Sequence, residues 1–145
     1  MVRWVTRECG ITLAGPPPAT LIEPVTAAAL RREVRATMRE WAEDITAGRY
    51  RIENRWAQPF VVLSYCRMLH TLRTGRIGSK LAGVRWGMGA LDARWASLIQ
   101  RAWDDRPDPP RKARLPADPQ DLAATLDFMR SAIALSDQWE VAGQE

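Results

Sequence analysis

One lysine in this chain stands where chemistry could use it. From Leu63 to Trp86 the sequence reads LSYCRMLHTLRTGRIGSKLAGVRW. An apolar helical face ends at Thr74-Gly75, a short basic turn follows, and Ser79-Lys80 opens a second helix that reaches Trp86. The first turn of a helix presents unpaired backbone N–H groups and the positive end of the macrodipole, so it favours an anion, and a cation beside it favours the anion further. Without an anion the lysine is a mild misfit with the dipole, by a few tenths to about 1 kcal/mol. Anion binding at Lys80, with Ser79 as the capping residue, is the chemistry this joint offers.

The other reactive residue types are not arranged for catalysis. His70 is the single histidine and has no nucleophile pattern around it, so it reads as a surface or half-buried helix residue. Cys9 and Cys66 lie far apart with no metal-type spacing, which leaves no structural zinc site. Cys66 sits in an apolar run and reads as a small buried hydrophobe. No two aspartates are separated by one residue; Asp104-Asp105 are adjacent, and a strand would turn them to opposite faces. No catalytic residue and no metal ligand is therefore expected within the chain. Glu40, Glu43 and Asp44 form an acidic helix face that would also suit a polycationic ligand. Trp41 and Trp86 fall on apolar helical spacing and read first as core packing.

These residues must be positioned by helices. Residues 1–25 are broken by Gly10, Gly15, Pro16-Pro17-Pro18 and Pro24, and are expected to form an irregular arm with a short extended piece at Ile11-Thr12-Leu13. Thr26 is a good N-cap. From Ala27 to about Ala47 the stripe Leu30, Val34, Met38, Trp41 and Ile45 predicts an amphipathic helix ended by Gly48, with Arg31, Arg32 and Arg35 on its exposed side. Pro59 fits the first turn of a central helix that stops at Gly75. Ser79 caps a short helix to Leu91, in which Gly83, Gly87 and Gly89 suggest close contact with a neighbour. Asp92 caps a fourth helix, and Asp118-Pro119 starts a last one running to about Val141. The proline-rich stretch DDRPDPPRKARLPADP reads as a long surface connection, with Arg111, Lys112 and Arg114 solvated. Alternating strands, hairpin turns and repeats are missing, so the expected fold is an all-α bundle of about five helices in a single domain, 1–145.

The bulk numbers agree with this. A chain of 145 residues suits one core, and no run of about 18 apolar residues could span a membrane. The first residues lack the apolar stretch of a secretory leader, and the sparse cysteines point to the reducing cytoplasm. The net charge of +4 comes from interleaved basic and acidic residues without a basic block, which argues against nucleic acid. Seven tryptophans imply a firm core, an aromatic-lined cleft, or both.

Cys66-Arg67, Thr74-Gly75-Arg76, Ser79-Lys80 and Trp86, in this order and spacing, resemble the C-terminal helical domain of the aminoglycoside nucleotidyltransferases that adenylylate streptomycin and spectinomycin. The likeness extends upstream through GITLAGPPPATLIEPV and downstream through LIQRAW, over nearly the whole chain. The resemblance implies a helical bundle that closes over a separate nucleotidyltransferase domain, with ATP and the antibiotic between the two. It implies that Lys80, beside Ser79, contacts ATP phosphates. It also implies that Trp41, with Glu43, Asp44 or Glu53, meets an aminoglycoside-like cationic substrate. Two positions depart from the pattern: Arg106, the nucleotide-binding candidate beside Ser79 and Lys80, stands where the family has a nucleotide-holding tyrosine, and Ala57 where it has an acid. ATP and magnesium are implied only together with a partner catalytic domain. By itself the chain is expected to be either a stand-alone helical domain or part of a longer protein, and not to transfer a nucleotide. The alternative expectation is a non-catalytic interaction module that self-associates or docks a protein.

Overall fold

Side-chain caps and glycines set where the helices begin and end. The computed structural model describes residues 1–141, and among these there are eight α-helices and one 3-10 turn. They are α1 (Val2–Cys9), α2 (Pro18–Leu21), α3 (Ala27–Thr46), α4 (Ala57–Thr74), α5 (Lys80–Ala90), the 3-10 turn Ala93–Trp95, α6 (Ala96–Asp104), α7 (Pro109–Lys112) and α8 (Pro119–Val141). The Thr26 hydroxyl accepts from the Ala29 N–H at 3.1 Å, and Ser79 accepts from Ala82 at 3.1 Å. Asp118 accepts from Gln120 at 2.7 Å. Each satisfies an N–H that the first turn leaves unpaired. At the start of α4 the Asn54 carboxamide oxygen takes the Trp56 and Ala57 N–H groups. Gly75 ends α4 with φ +69°; a Cβ there would also meet the Ala27 side chain at 2.9 Å.

The five expected helices are α3, α4, α5, α6 and α8, and the fold is all-α. No strand occurs among the described residues; an isolated antiparallel bridge joins Asn54 to Pro116. Helix α4 is the hub and packs against α3, α5, α6 and α8. Its buried residues cover more than one face, from Val61 and Val62 to Tyr65 and Leu69. A helix apolar all round belongs inside. Some polar groups buried with it are paired, while Ser64 Oγ and His70 Nδ1 on α4 find no hydrogen-bond partner among the described residues. The Tyr65 hydroxyl donates to the Met38 carbonyl at 2.6 Å, and the Gln58 amide donates to the Thr125 hydroxyl at 2.7 Å.

Three local expectations need correction. The arm is not irregular throughout, because Val2–Cys9 fit a two-turn helix ahead of Gly10 and α2 follows Pro17. Met1 and Trp4 pack on the core edge, and Arg7 donates to the Ala19 and Ile22 carbonyls, which ties α1 to α2. Arg35 is buried, with Nε donating to the Ser136 carbonyl at 3.3 Å, and Arg31 donates to the Leu72 carbonyl at 2.8 Å. Both arginines donate to carbonyls of neighbouring helices, Arg31 to one in the last turn of α4 and Arg35 to one within α8. Lys112, expected in a solvated loop, is partly buried and pairs with Asp105. No helix among the described residues is long and apolar enough to cross a membrane.

Candidate functional site

Phe60, Leu63 and Arg67 recur along α4 at spacings of three and four, so one face of the helix carries all three. Helix α5 lies against that face. It approaches closely because Gly83 has no side chain: a Cβ there would meet the Arg67 N and Cα at 2.8 Å. Gly87 makes ordinary contacts near Cys66, and Gly89 faces open space, so only the first of the three glycines marks a tight approach.

This approach puts Lys80, three residues before Gly83, beside the aromatic end of α4. Its ammonium stands over the Phe60 ring, 4.2 Å from the centroid. Arg55, Trp56, Pro59, Phe60, Leu63, Lys80, Arg106 and Pro109 together line a cleft of about 100 Å³. Burial, then the Arg67 and Arg106 guanidiniums, push the Lys80 ammonium below the usual lysine value. None of Arg67, Lys80 and Arg106 meets a carboxylate among the described residues. Arg106 instead lies flat on Trp103, 4.0 Å from the ring centre. Like charges gathered without a counter-ion cost free energy that a bound anion would recover.

A larger cleft, about 710 Å³, is a different place, lined by Arg55, Arg101, Lys112, Asp105 and Asp121 among others. Its charges are already matched: Arg55 and Lys112 on Asp105, and Arg101 on Asp121 at 2.6 Å. With Asp104 and Asp118 also in the lining, four carboxylates face three cations, so this cleft has no positive charge to spare and the smaller cleft is the better candidate for an anion.

The aromatic wall of the site is a run of near-parallel rings. Trp56 stacks on Phe60 at 5.4 Å and 21°, Phe60 on Trp41 at 5.9 Å and 25°, and Trp41 on Tyr50 at 6.4 Å and 14°. Phe60 therefore connects Trp41 to Lys80. Trp41 is half-buried against the core as well, so packing and site are not exclusive readings for it.

The remaining candidates are distributed differently. Ser79 spends its hydroxyl on the cap of α5 and is not among the residues lining the cleft. Glu43 lines a shallow hollow with Ala42, Thr46, Ala47 and Arg49. Asp44 pairs with Arg49 at 2.7 Å, and Glu53 with Arg51 at 3.4 Å. The three acids do not form one cluster. Trp86 sits edge-on to His70 at 6.0 Å and to Trp139 at 6.2 Å, away from the cleft, as packing. Burial pushes the Cys66 thiol up to about 12, which keeps it an inert hydrophobe. Among the described residues no group of three or more His, Cys, Asp or Glu could hold a metal ion.

Sequence reasoning passed over Trp56 and Phe60 and gave Arg67 no role. A signal existed for each: aromatics flank the connection between α3 and α4 on both sides, and Arg67 follows Phe60 by seven residues, two helical turns.

Among curated proteins and among solved structures none matches the chain. Residues 20–132 match the family described as aminoglycoside adenylyltransferase, C-terminal domain. That span covers most of the chain and includes every element that builds the cleft, α3 to α7. By this match the chain belongs to the family of aminoglycoside adenylyltransferase C-terminal domains.

Proposed function

We propose that this domain receives the phosphates of ATP at Lys80, Arg67 and Arg106 and acts as the helical half of an adenylyl-transferring enzyme. The observation that carries the reading is that Lys80 and Arg106 line one aromatic-walled cleft, with Arg67 close enough to act on the Lys80 ammonium and none of the three on a carboxylate among the described residues. Charge-assisted contacts of this kind are about twice as strong as neutral hydrogen bonds, and the arginines can add bidentate geometry to the lysine's point charge. The Lys80 ammonium rests over the Phe60 ring at the edge of the cleft, paired with no carboxylate among the described residues, and is open to an anionic ligand. Magnesium, when bound, would neutralise the triphosphate further; its carboxylates would come from a nucleotidyltransferase domain supplied as a partner, since no such set forms among the described residues.

The acceptor in this reading is a cationic, aminoglycoside-like molecule placed against Trp41, with Glu43, Asp44 and Glu53 as its carboxylates. Asp44 and Glu53 already hold arginines, and exposed pairs are worth about 0.2–1 kcal/mol, so a polycation could displace Arg49 and Arg51 at modest cost. Calorimetry with ATP and with inorganic tripolyphosphate tests the phosphate contact. Binding of both, weakened at least tenfold by Lys80→Met with an unchanged melting profile, is the expected result. Absence of binding to the unaltered protein refutes it.

A second reading, an interaction module that self-associates or docks a protein, rests on the arm. Val2, Ile11, Leu13 and Leu21 are 80%, 86%, 95% and 70% exposed, a concentration of bare apolar residues that invites cover. A monomer at high concentration in sedimentation would count against self-association.

A further inference from the structure

We infer that the exposed ring of Trp56 is a stacking platform for the base of the nucleotide whose phosphates rest at Lys80, Arg67 and Arg106. The inference deepens the phosphate reading above and rests on it.

The first argument is size. The cleft around Lys80 measures about 100 Å³. Sites that enclose a whole drug-sized ligand run to about 300–1,000 Å³. A nucleotide could put only part of itself inside, and the cations select the phosphate end. The base must then lie on the surface bordering the cleft.

The second argument is what that border consists of. Trp56 is a wall of the same cleft and is 38% exposed, one of the few large hydrophobic side chains outside the arm left so open. Its ring is held in place by the stack on Phe60 at 5.4 Å and 21°, and its backbone N–H is fixed by the Asn54 side chain at 3.1 Å. Lys80 stands over that same phenyl ring at 4.2 Å. Platform and ammonium thus meet the same phenyl ring, within 5.4 and 4.2 Å of its centre, a span that a ribose and its first phosphates can bridge. The neighbouring cation Arg55 is already paired with Asp105.

The third argument is chemical selectivity. A base stacked on an aromatic side chain is stabilised whatever its edge pattern, because every base has a π-face. The ring therefore favours a nucleoside triphosphate over a bare polyphosphate without choosing strongly among bases. Charge alone predicts the opposite order, since tripolyphosphate is the more highly charged anion. The comparison between the two ligands separates stacking from electrostatics.

Calorimetry in magnesium-free buffer with ATP and with inorganic tripolyphosphate reads this directly on the unaltered protein, Trp56→Ala and Trp56→Phe. Expected is ATP binding about 5- to 150-fold tighter than tripolyphosphate, the range for one base on one aromatic ring. Trp56→Ala should lose that preference with tripolyphosphate affinity unchanged, and Trp56→Phe should keep most of it. Equal affinity for the two ligands in the unaltered protein, with binding still dependent on Lys80, overturns the platform and leaves the phosphate reading intact. So does an equal loss of both ligands in Trp56→Ala. Binding of neither ligand overturns both readings. Should Trp56→Ala fail to fold, the two-ligand comparison on the unaltered protein and Trp56→Phe decides.

Discussion

Replacing Gly83 by alanine tests the helix contact on which the cleft depends. Two effects oppose each other. Alanine in a helix interior is better than glycine by about 0.8–1 kcal/mol. Against this, the new Cβ would stand 2.8 Å from the Arg67 backbone N and Cα, which no rotamer change can relieve. Overpacking of a close contact costs about 1–3 kcal/mol. Gly89→Ala supplies the propensity gain alone, because nothing lies within 4 Å of its Cβ position. In urea denaturation followed by tryptophan fluorescence, Gly89→Ala should be more stable than the parent by about 0.5–1 kcal/mol. Gly83→Ala should fall about 1–3 kcal/mol below Gly89→Ala, or a few degrees in melting temperature. A second readout follows from chain connectivity. Lys80 and Gly83 share α5, so pushing α5 off Arg67 also moves the ammonium off Phe60, and tripolyphosphate binding should weaken in Gly83→Ala and not in Gly89→Ala. If the two variants have the same stability, the close approach is not a constraint and the account of how Lys80 is placed is wrong.

Two further outcomes are expected. Burial pushes the Asp105 carboxyl up, but the hydrogen bonds from Arg55 and Lys112 outweigh it and hold the group below its ordinary value. The stability it contributes is therefore present above about pH 4 and lost as the pH falls through the lowered value; Asp105→Asn should cost about 1 kcal/mol at neutral pH and flatten the acid limb of a stability–pH profile. Of the two thiols Cys9 is exposed and Cys66 buried, so a thiol reagent should modify one cysteine at once and the second only when denaturant opens the core. Rapid modification of both in the native protein would contradict the packing of α4.

The helices were legible because their signals are local. Thr26, Gly75, Ser79 and Asp118 act through the nearest turn of backbone, and the stripe from Leu30 to Ile45 follows from period alone. Arg35 was misjudged because its burial depends on a carbonyl 101 residues away, at Ser136. The arm was misjudged because its prolines and glycines hide an eight-residue helix ahead of them. In the candidate site, Lys80 and Trp41 stood out by position. The residues joining them did not, since Phe60 acquires its place only when α5 closes on α4, an event no spacing within either helix records. The acids looked like a group in sequence, but Asp44 and Glu53 each turn to a nearby arginine.

Three of the side chains around Lys80 sit on or against the one helix that α3, α5, α6 and α8 all touch. Amides of α4 should consequently be among the slowest to exchange, opening only with the whole molecule. A ligand arriving there meets a surface that cannot remodel itself at low free energy. Its fit is decided before it lands, so little ordering entropy is lost on contact and mismatched shapes are refused by stiffness, not sorted by adjustment.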